Sequence, residues 1–148
     1  MSATTLTFTV PGEPIPQGSA KAFVHKATGR AIVTGDNPRT KGWRFQVAQF
    51  AVMEAQRVGG FFASAHVPVK LTARCYFRRP ASVSAKKRPA PVVKPDADKC
   101  LRALSDALTG VLWHDDAQVV GCVIEKHYAA VGEMARAELE VQILGEAR

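Results

Sequence analysis

The segment at residues 94–120 constrains the fold more than any other part of the chain. Asp96 and Asp98 stand at the entrance of a predicted helix, and Asp115 and Asp116 stand in the turn that leads into the next predicted strand. The helix is amphipathic, because its apolar side chains gather on one side of a helical wheel and its polar side chains on the other. Such a helix, followed directly by a strand, predicts a helix packed on a sheet with carboxylates at the ends of both elements.

Each acidic pair has an ordinary structural explanation. Asp96 suits a helix N-cap, Asp98 in the first turn complements the helix dipole, and the pair Asp115 and Asp116 is typical of a turn. Carboxylates at element ends also suit Mg²⁺ or Mn²⁺, which prefer hard oxygen ligands and take only a few carboxylates. A basic, proline-rich segment leads directly into Asp96, which favours a metal site held against a polyanion. On the residues alone, both interpretations stand.

The charge and length of the chain favour a globular protein with an anionic partner. The 148 residues carry a formal net charge of +7 at pH 7 and a pI near 9.7, which favours nucleic acid. A hydrophobic content of 47% is ordinary for a globular fold, and the length predicts one domain over residues 1–148. No apolar run approaches the ~20 residues of a membrane span, and the first residues lack the pattern of a secretory signal. We therefore expect a cytoplasmic protein that does not enter a membrane.

The three cysteines form no recognisable zinc or disulfide framework. Cys75, Cys100 and Cys122 are odd in number and contain no C-x-x-C pair. Because free cysteine is among the most buried residue types, each is expected to be a small core residue.

Hydrophobic periodicity predicts the order of the elements. In chain order they are a strand at Thr5–Val10, a hairpin of Ala22–His25 and Arg30–Val33, a helix from Pro38 to Gly59, a strand at Val69–Phe77, a helix at 97–109, and strands at Val119–Ile124 and Ala137–Ile143. Because Val119–Ile124 is apolar on both faces, we expect it to be a central strand and to pair with the last one. The predicted fold class is α+β: a single domain with a mixed β-sheet and two main helices packed on one of its faces.

A basic loop is predicted at residues 78–95. It contains four prolines, no acidic residue and six lysines or arginines. Such loops are typical of contacts with the DNA backbone, although a solvated loop is the alternative. The candidate DNA-binding residues in and near this loop are Arg78, Arg79, Lys86, Lys87, Arg88, Lys94, Lys99 and Lys126.

The acidic segment resembles the signature of a known family. The residues that carry the resemblance are Asp96-Ala97-Asp98, Arg102, Asp106-Ala107-Leu108-Thr109, Trp113 and Asp115-Asp116-Ala117-Gln118-Val119-Val120. They are similar to the pattern D-x-D-N-L-x-K…DALT…W-x-DDAQVV of the RusA family of Holliday junction resolvases, with the core motif at residues 94–126. The resemblance implies a RusA-like fold and a homodimeric endonuclease that cuts four-way DNA junctions with Mg²⁺ or Mn²⁺.

The resemblance also implies roles for single residues. Asp96, Asp98 and Asp116 correspond to the family's three catalytic and metal-binding aspartates, and Asp115 is a ligand or lies just outside the ligand shell. Arg102 stands where the family has its catalytic lysine, so a planar guanidinium replaces a compact ammonium. Lys99 stands where the family usually has asparagine.

Two other functions fit the same residues. In a non-catalytic DNA-binding protein the acids would only cap and form turns, and in a nuclease for flaps or single-stranded DNA the site would be kept and the substrate would differ. A resolvase has an additional reason to be a dimer, because a four-way junction has approximate two-fold symmetry and needs two cuts.

Overall fold

A four-stranded sheet and two helices make up the body of the molecule. The computed structural model describes residues 4–18, 21–34 and 38–145. The elements are β1 (Thr5–Pro11), β2 (Lys21–Val24), β3 (Ala31–Thr34), α1 (Pro38–Arg57), β4 (Val69–Phe77), α2 (Ala97–Leu108), a 3₁₀ turn (Asp116–Gln118), β5 (Val119–Tyr128) and β6 (Arg136–Ile143). The strand order in the sheet is β1-β6-β4-β5, and β2 pairs with β3 as a separate hairpin. Among the strands of the described sheet, β4 and β5 alone pair in parallel, and α2 connects them. The predicted α+β class, with a mixed sheet and two helices, is confirmed.

The core lies between one face of the sheet and the two helices. Alternation along the strands puts apolar side chains on this face, as in the register pairs Phe8–Leu139 and Leu139–Ala73. The predicted apolar side of α2 is buried on them, including Ala103, Leu104 and Leu108. The opposite face of the sheet carries polar residues and is open to solvent. No described helix is long and apolar enough to cross a membrane.

Two predictions about strand pairing were wrong. β5 is the edge strand of the sheet, not a central one, and β6 pairs with β1 and β4 instead of with β5. The reason is the crossover through α2, which returns the chain parallel to β4 on its free side and leaves the other side of β4 for β6. The apolar residues on both faces of β5 are therefore only partly covered, and Val120 is 64% exposed.

The position of β5 also overturns the predicted burial of one cysteine. Cys75 in β4 and Cys100 in α2 are buried as predicted, and the hydrogen bond between their thiols, together with burial, raises the pKa of Cys75. Cys122 lies in the edge strand and is exposed, so its assignment to the core was wrong.

Candidate active site

Asp96 and Asp98 lie at the start of α2, where both side chains reach solvent. Asp96 is the N-cap residue, with φ −71° and ψ 143°, and its carbonyl accepts a hydrogen bond from the Cys100 amide. Its carboxylate, however, makes no capping hydrogen bond within the described residues and is 4.0 Å from the Lys99 ammonium. The N-cap position is therefore confirmed, but capping does not occupy the carboxylate, which stays available to a ligand.

A cleft at the start of α2 brings further charged residues to Asp96. The cleft has a volume of about 480 Å³, and its charged lining residues are Glu13, Arg39, Lys94, Asp96 and Lys99. The segment after β1 forms the opposite wall, which is held in place because the Gln17 amide donates a hydrogen bond of 2.9 Å to the Lys99 carbonyl. Two carboxylates among several cations suit a site that holds a cation and a phosphate together.

Glu13 and Arg39 join the site only in the fold, since no spacing in the sequence places either residue beside Asp96. Glu13 follows β1, and its carboxylate lies 3.4 Å from the backbone amide of Arg78. No local motif marks either residue, because both are far from Asp96 along the chain and only the packing of the first loop on α2 brings them near.

Lys126 holds the segment that leads into Asp96. Its ammonium donates hydrogen bonds of 2.8 Å to the carbonyl of Val93 and 2.7 Å to the carbonyl of Pro95. Lys126, Lys94 and Asp96 also line a second, open cleft of about 790 Å³. This geometry gives Lys126 a role in positioning Asp96, while its predicted contact with DNA phosphate stays a prediction.

The substitution Lys126→Met tests this positioning role. For the DNA cleavage that the sequence resemblance implies, we expect the single-turnover rate to fall roughly tenfold or more, because displacing a group that acts in catalysis by about 1 Å can cost up to a hundredfold. Lys70→Met, which removes an exposed lysine from β4, is the matched control. An unchanged rate would show that the segment is ordered without this tether, whereas a loss confined to DNA affinity would favour a phosphate contact.

Asp115 and Asp116 lie at the opposite end of α2. The Asp115 carboxylate accepts a hydrogen bond of 2.9 Å from the Ala117 amide and caps the 3₁₀ turn, so the predicted turn-forming role is present. The Asp116 carboxylate is hydrogen-bonded to the hydroxyl of Thr109, just after α2. That hydroxyl oxygen also accepts a hydrogen bond of 2.9 Å from the indole N–H of Trp113, which is fully buried. Asp116 is thus oriented by the core.

Gln118 fixes this acidic turn to the body of the protein. Its buried amide donates to the carbonyls of Ser64 at 2.8 Å and Val67 at 3.0 Å, and its carbonyl oxygen accepts from the amides of His114 and Asp115, each at 2.8 Å. We expect Gln118→Leu to lower the free energy of unfolding by about 2–4 kcal/mol, because it leaves several buried backbone groups unpaired. Chemical denaturation measures this loss, and Gln142→Leu, at an exposed position of β6, should stay near wild type. An equal effect of both substitutions would contradict the structural role of Gln118.

The four aspartates do not form one metal site within a single chain. Asp98 and Thr109 are separated by about 16 Å along α2 at 1.5 Å per residue, and Asp116 is bonded to Thr109. Accordingly, the described residues contain no group of three or more histidines, cysteines, aspartates or glutamates that could hold a metal ion. Asp96 and Asp98 alone still match the one or two carboxylates that Mg²⁺ commonly takes together with water. The metal-binding roles of all four residues stay predictions.

Arg102 is exposed on α2, one turn after Asp98. The predicted alignment of Asp98, Arg102 and Asp106 along the polar side is present, but within the described part of the chain Arg102 forms no ion pair with either acid. Asp106 instead lies 3.8 Å from the guanidinium of Arg44 in α1. The guanidinium of Arg102 is therefore available to a phosphate beside Asp98.

The basic loop divides into packed and exposed cations. Arg79 lies 4.3 Å from the ring centre of Tyr128, and Arg88 donates a hydrogen bond of 3.3 Å to the Tyr128 hydroxyl, so both help to hold the loop on β5. The exposed members of the predicted DNA-binding set are Arg78, Lys86, Lys87 and Lys94. Within the loop, these four side chains can reach a DNA backbone without rearrangement.

Comparison with known proteins agrees with the motif. A family model described as Endodeoxyribonuclease RusA matches residues 11–143, which include Glu13 and both ends of α2. A Bacillus subtilis (strain 168) protein named Uncharacterized protein YqaN is 28% identical over 133 residues, which cover 84% of this chain and 88% of that protein. The family match thus extends far beyond the motif at residues 94–126.

Proposed function

Because this chain belongs to the RusA family of endodeoxyribonucleases, we propose that it resolves four-way DNA junctions by paired, metal-dependent hydrolysis of phosphodiester bonds. The products would carry 5′-phosphate and 3′-hydroxyl ends. Family membership indicates the endodeoxyribonuclease activity. The observation that carries the site assignment is the Asp96 carboxylate, which is not used in capping and lines a cleft with Glu13 and several cations.

The residues at the start of α2 have distinct roles in this proposal. Asp96 and Asp98 would hold Mg²⁺ or Mn²⁺, which supplies an activated water and charge neutralisation at the phosphate. Lys94 and Lys99, on the walls of the cleft, bind the non-bridging phosphate oxygens, and Arg102 stabilises charge on the phosphate from the next turn of the helix. Arg102 acts as a fixed cation and not as a proton donor, because a guanidinium does not deprotonate in proteins.

The DNA lies on the side of the basic loop and not on the open face of the sheet. On that face Arg136 and Arg74 are both paired with Glu138, at 2.9 and 3.6 Å. The exposed lysines of the loop, by contrast, have no acidic residue in their own segment. Their contacts would be independent of base sequence and would weaken as salt is raised.

A homodimer would complete the site. Asp116 belongs to the family's catalytic set but lies at the far end of α2 from Asp98, so one chain cannot bring them to the same ion. A two-fold dimer matches the symmetry of the junction and provides a second copy of every aspartate. We therefore propose that Asp116 acts at the Asp96 and Asp98 site of its partner. Cytoplasmic localisation, where the DNA substrate would be met, is part of this proposal.

Cleavage of a panel of labelled DNAs tests the proposed function. Four-way, flap, duplex and single-stranded DNA are incubated with the protein in Mg²⁺, Mn²⁺ or EDTA. Paired symmetric cuts of the four-way junction, abolished by EDTA, are expected. Preferential cleavage of flaps or single strands would show a nuclease with a different substrate. Tight junction binding without cleavage in either metal would show a non-catalytic DNA-binding protein.

A further inference from the structure

The hairpin of β2 and β3 is exposed and positively charged. Among the described strands, these two pair with each other and with no strand of the main sheet, and every residue from 24 to 31 is exposed. The chain from residue 14 to residue 35 contains no acidic residue, and the turn of the hairpin carries Lys26 and Arg30. The half of the hairpin around its turn therefore adds nothing to the core and presents positive charge to solvent.

The turn of the hairpin is defined by its own backbone. The His25 amide donates a hydrogen bond of 2.8 Å to the Arg30 carbonyl, and the Gly29 amide donates one of 2.8 Å to the His25 carbonyl. Gly29 has a φ of 67°, in the left-handed region that glycine adopts without steric cost. The cations of Lys26 and Arg30 are thus carried on a formed two-stranded ribbon.

The first leg of the hairpin starts from a wall of the cleft at Asp96. The Gln17 amide donates a hydrogen bond of 2.9 Å to the Lys99 carbonyl in α2, and the Gln17 side-chain oxygen accepts one of 3.1 Å from Arg44 in α1. Gly18, the next residue, lines the cleft, and two residues separate it from β2. The hairpin therefore leaves the body of the protein at the rim of this cleft.

The second leg returns to the same place. Three residues separate β3 from α1, and Arg39 in the first turn of α1 lines the cleft. The next residue, Thr40, is buried, and its hydroxyl donates a hydrogen bond of 2.8 Å to the carbonyl of Pro16. This bond joins the segment before the hairpin to the helix after it, so the base of the hairpin is held closed beside the cleft.

We propose that the β2–β3 hairpin is a second DNA-binding element, which grips the backbone of a duplex arm on the side of the cleft opposite the basic loop. Gly18 lies on the wall formed by the segment after β1, whereas Lys94, the last cation of the loop, lies next to Asp96. DNA with a phosphate in the cleft would meet the loop on one side and the hairpin on the other. The inference rests on the proposed function in one respect, which is that this cleft takes a DNA phosphate.

The hairpin has the size and charge that a duplex requires. Each strand has four residues, which gives a ribbon about 13 Å long. The major groove of B-DNA is about 12 Å wide and admits a two-stranded ribbon. Lys26 and Arg30 lie on the two sides of the turn along the chain, where they can contact phosphates without reading base sequence. Such contacts suit an enzyme that recognises the shape of its DNA.

The salt dependence of junction binding tests the hairpin without any cleavage. The affinity for a labelled four-way junction is measured in EDTA at several salt concentrations, for the wild type and for the double variant Lys26→Gln and Arg30→Gln. Each lost phosphate contact lowers the slope of log affinity against log salt by about 0.9. We therefore expect the slope to fall by about two and the affinity to fall roughly tenfold or more at about 0.1 M salt. Both side chains are exposed, so the variant should fold normally.

A matched control removes two exposed charges far from the hairpin. In the double variant Lys70→Gln and Arg57→Gln, Arg57 ends α1, about 27 Å along the helix from Arg39. Lys70 lies near the opposite end of β4 from Phe77, which lines the cleft. We expect this control to keep the wild-type slope. Conversely, Ala27→Lys adds a cation to the exposed turn and should raise both the slope, by about one, and the affinity.

The outcomes separate the hairpin from the nuclease activity. If the hairpin variant and the control have the same slope, the hairpin does not contact DNA, and the nuclease proposal stands or falls on cleavage alone. If the hairpin variant loses slope and affinity while the wild-type protein cuts no branched DNA, the hairpin is supported as a DNA contact and the proposed function is wrong.

Discussion

Replacing Asp98 by asparagine is expected to lower junction cleavage by at least about a hundredfold, because the proposed Mg²⁺ site would lose one of its two carboxylates and with it the cation that neutralises the phosphate. The side chain is exposed, so the fold should lose only the favourable interaction with the helix dipole, about 0.5 kcal/mol. Junction binding should be retained, since the phosphate contacts come from cations. The measurements are the single-turnover cleavage rate and the junction affinity of the same preparation.

Glu140→Gln is the control for this substitution. It makes the same carboxylate-to-amide change on the open face of the sheet, in register with Thr7 and Thr72, away from the cleft at Asp96. We expect wild-type cleavage from the control. If Asp98→Asn also cut at the wild-type rate, Asp98 would be only a first-turn residue that complements the helix, and the catalytic assignment would fail.

The local pattern of apolar and polar residues was enough to predict α2 and the residues at its ends. The separation of Leu104 and Ala107 from Asp98 and Arg102 on a helical wheel corresponds to the buried and exposed sides of the helix. The positions of Asp96 at the N-cap and of Asp115 in the turn follow from the same local chemistry. These features depend on residues within a few positions of each other, so a single sequence specifies them.

Strand neighbours and distant site residues could not be predicted in this way. An apolar run such as Val119–Ile124 fits a central strand, but it equally fits an edge strand that another chain covers, and pattern alone does not distinguish the two. Glu13 reaches the cleft only because the first loop packs on α2, which no local rule predicts. Gln118 was recognised as part of a motif, whereas its role in binding buried backbone groups is visible only in the fold.

The separation of the aspartates by α2 changes what the motif can mean. In sequence, Asp96, Asp98 and Asp116 suggest a single cluster in one chain. In the structure, the helix between them keeps Asp116 about 16 Å from Asp98 along the axis. Either Asp116 serves only to order the acidic turn through Thr109, or it acts across a dimer. Single substitutions do not separate these possibilities, because both predict a defective enzyme.

Mixing two inactive variants does separate them. In a shared site, a heterodimer of Asp98→Asn and Asp116→Asn chains has one site with both substitutions and one site with neither. We therefore expect cleavage to reappear on mixing, with roughly one quarter of the wild-type number of intact sites if subunits exchange freely. The product should be single nicks rather than paired cuts, because each restored dimer has only one active site.

The controls follow from the same count of intact sites in each heterodimer. Mixing Asp96→Asn with Asp98→Asn should restore nothing, because both substitutions fall in the same half of the site and every heterodimer is defective at both centres. Brief unfolding and refolding of the mixture ensures that subunits exchange, and each variant treated alone sets the background. If the Asp98→Asn and Asp116→Asn mixture stays at that background while wild-type subunits exchange normally, Asp116 acts within its own chain, and its role is the orientation of the turn through Thr109 and Trp113.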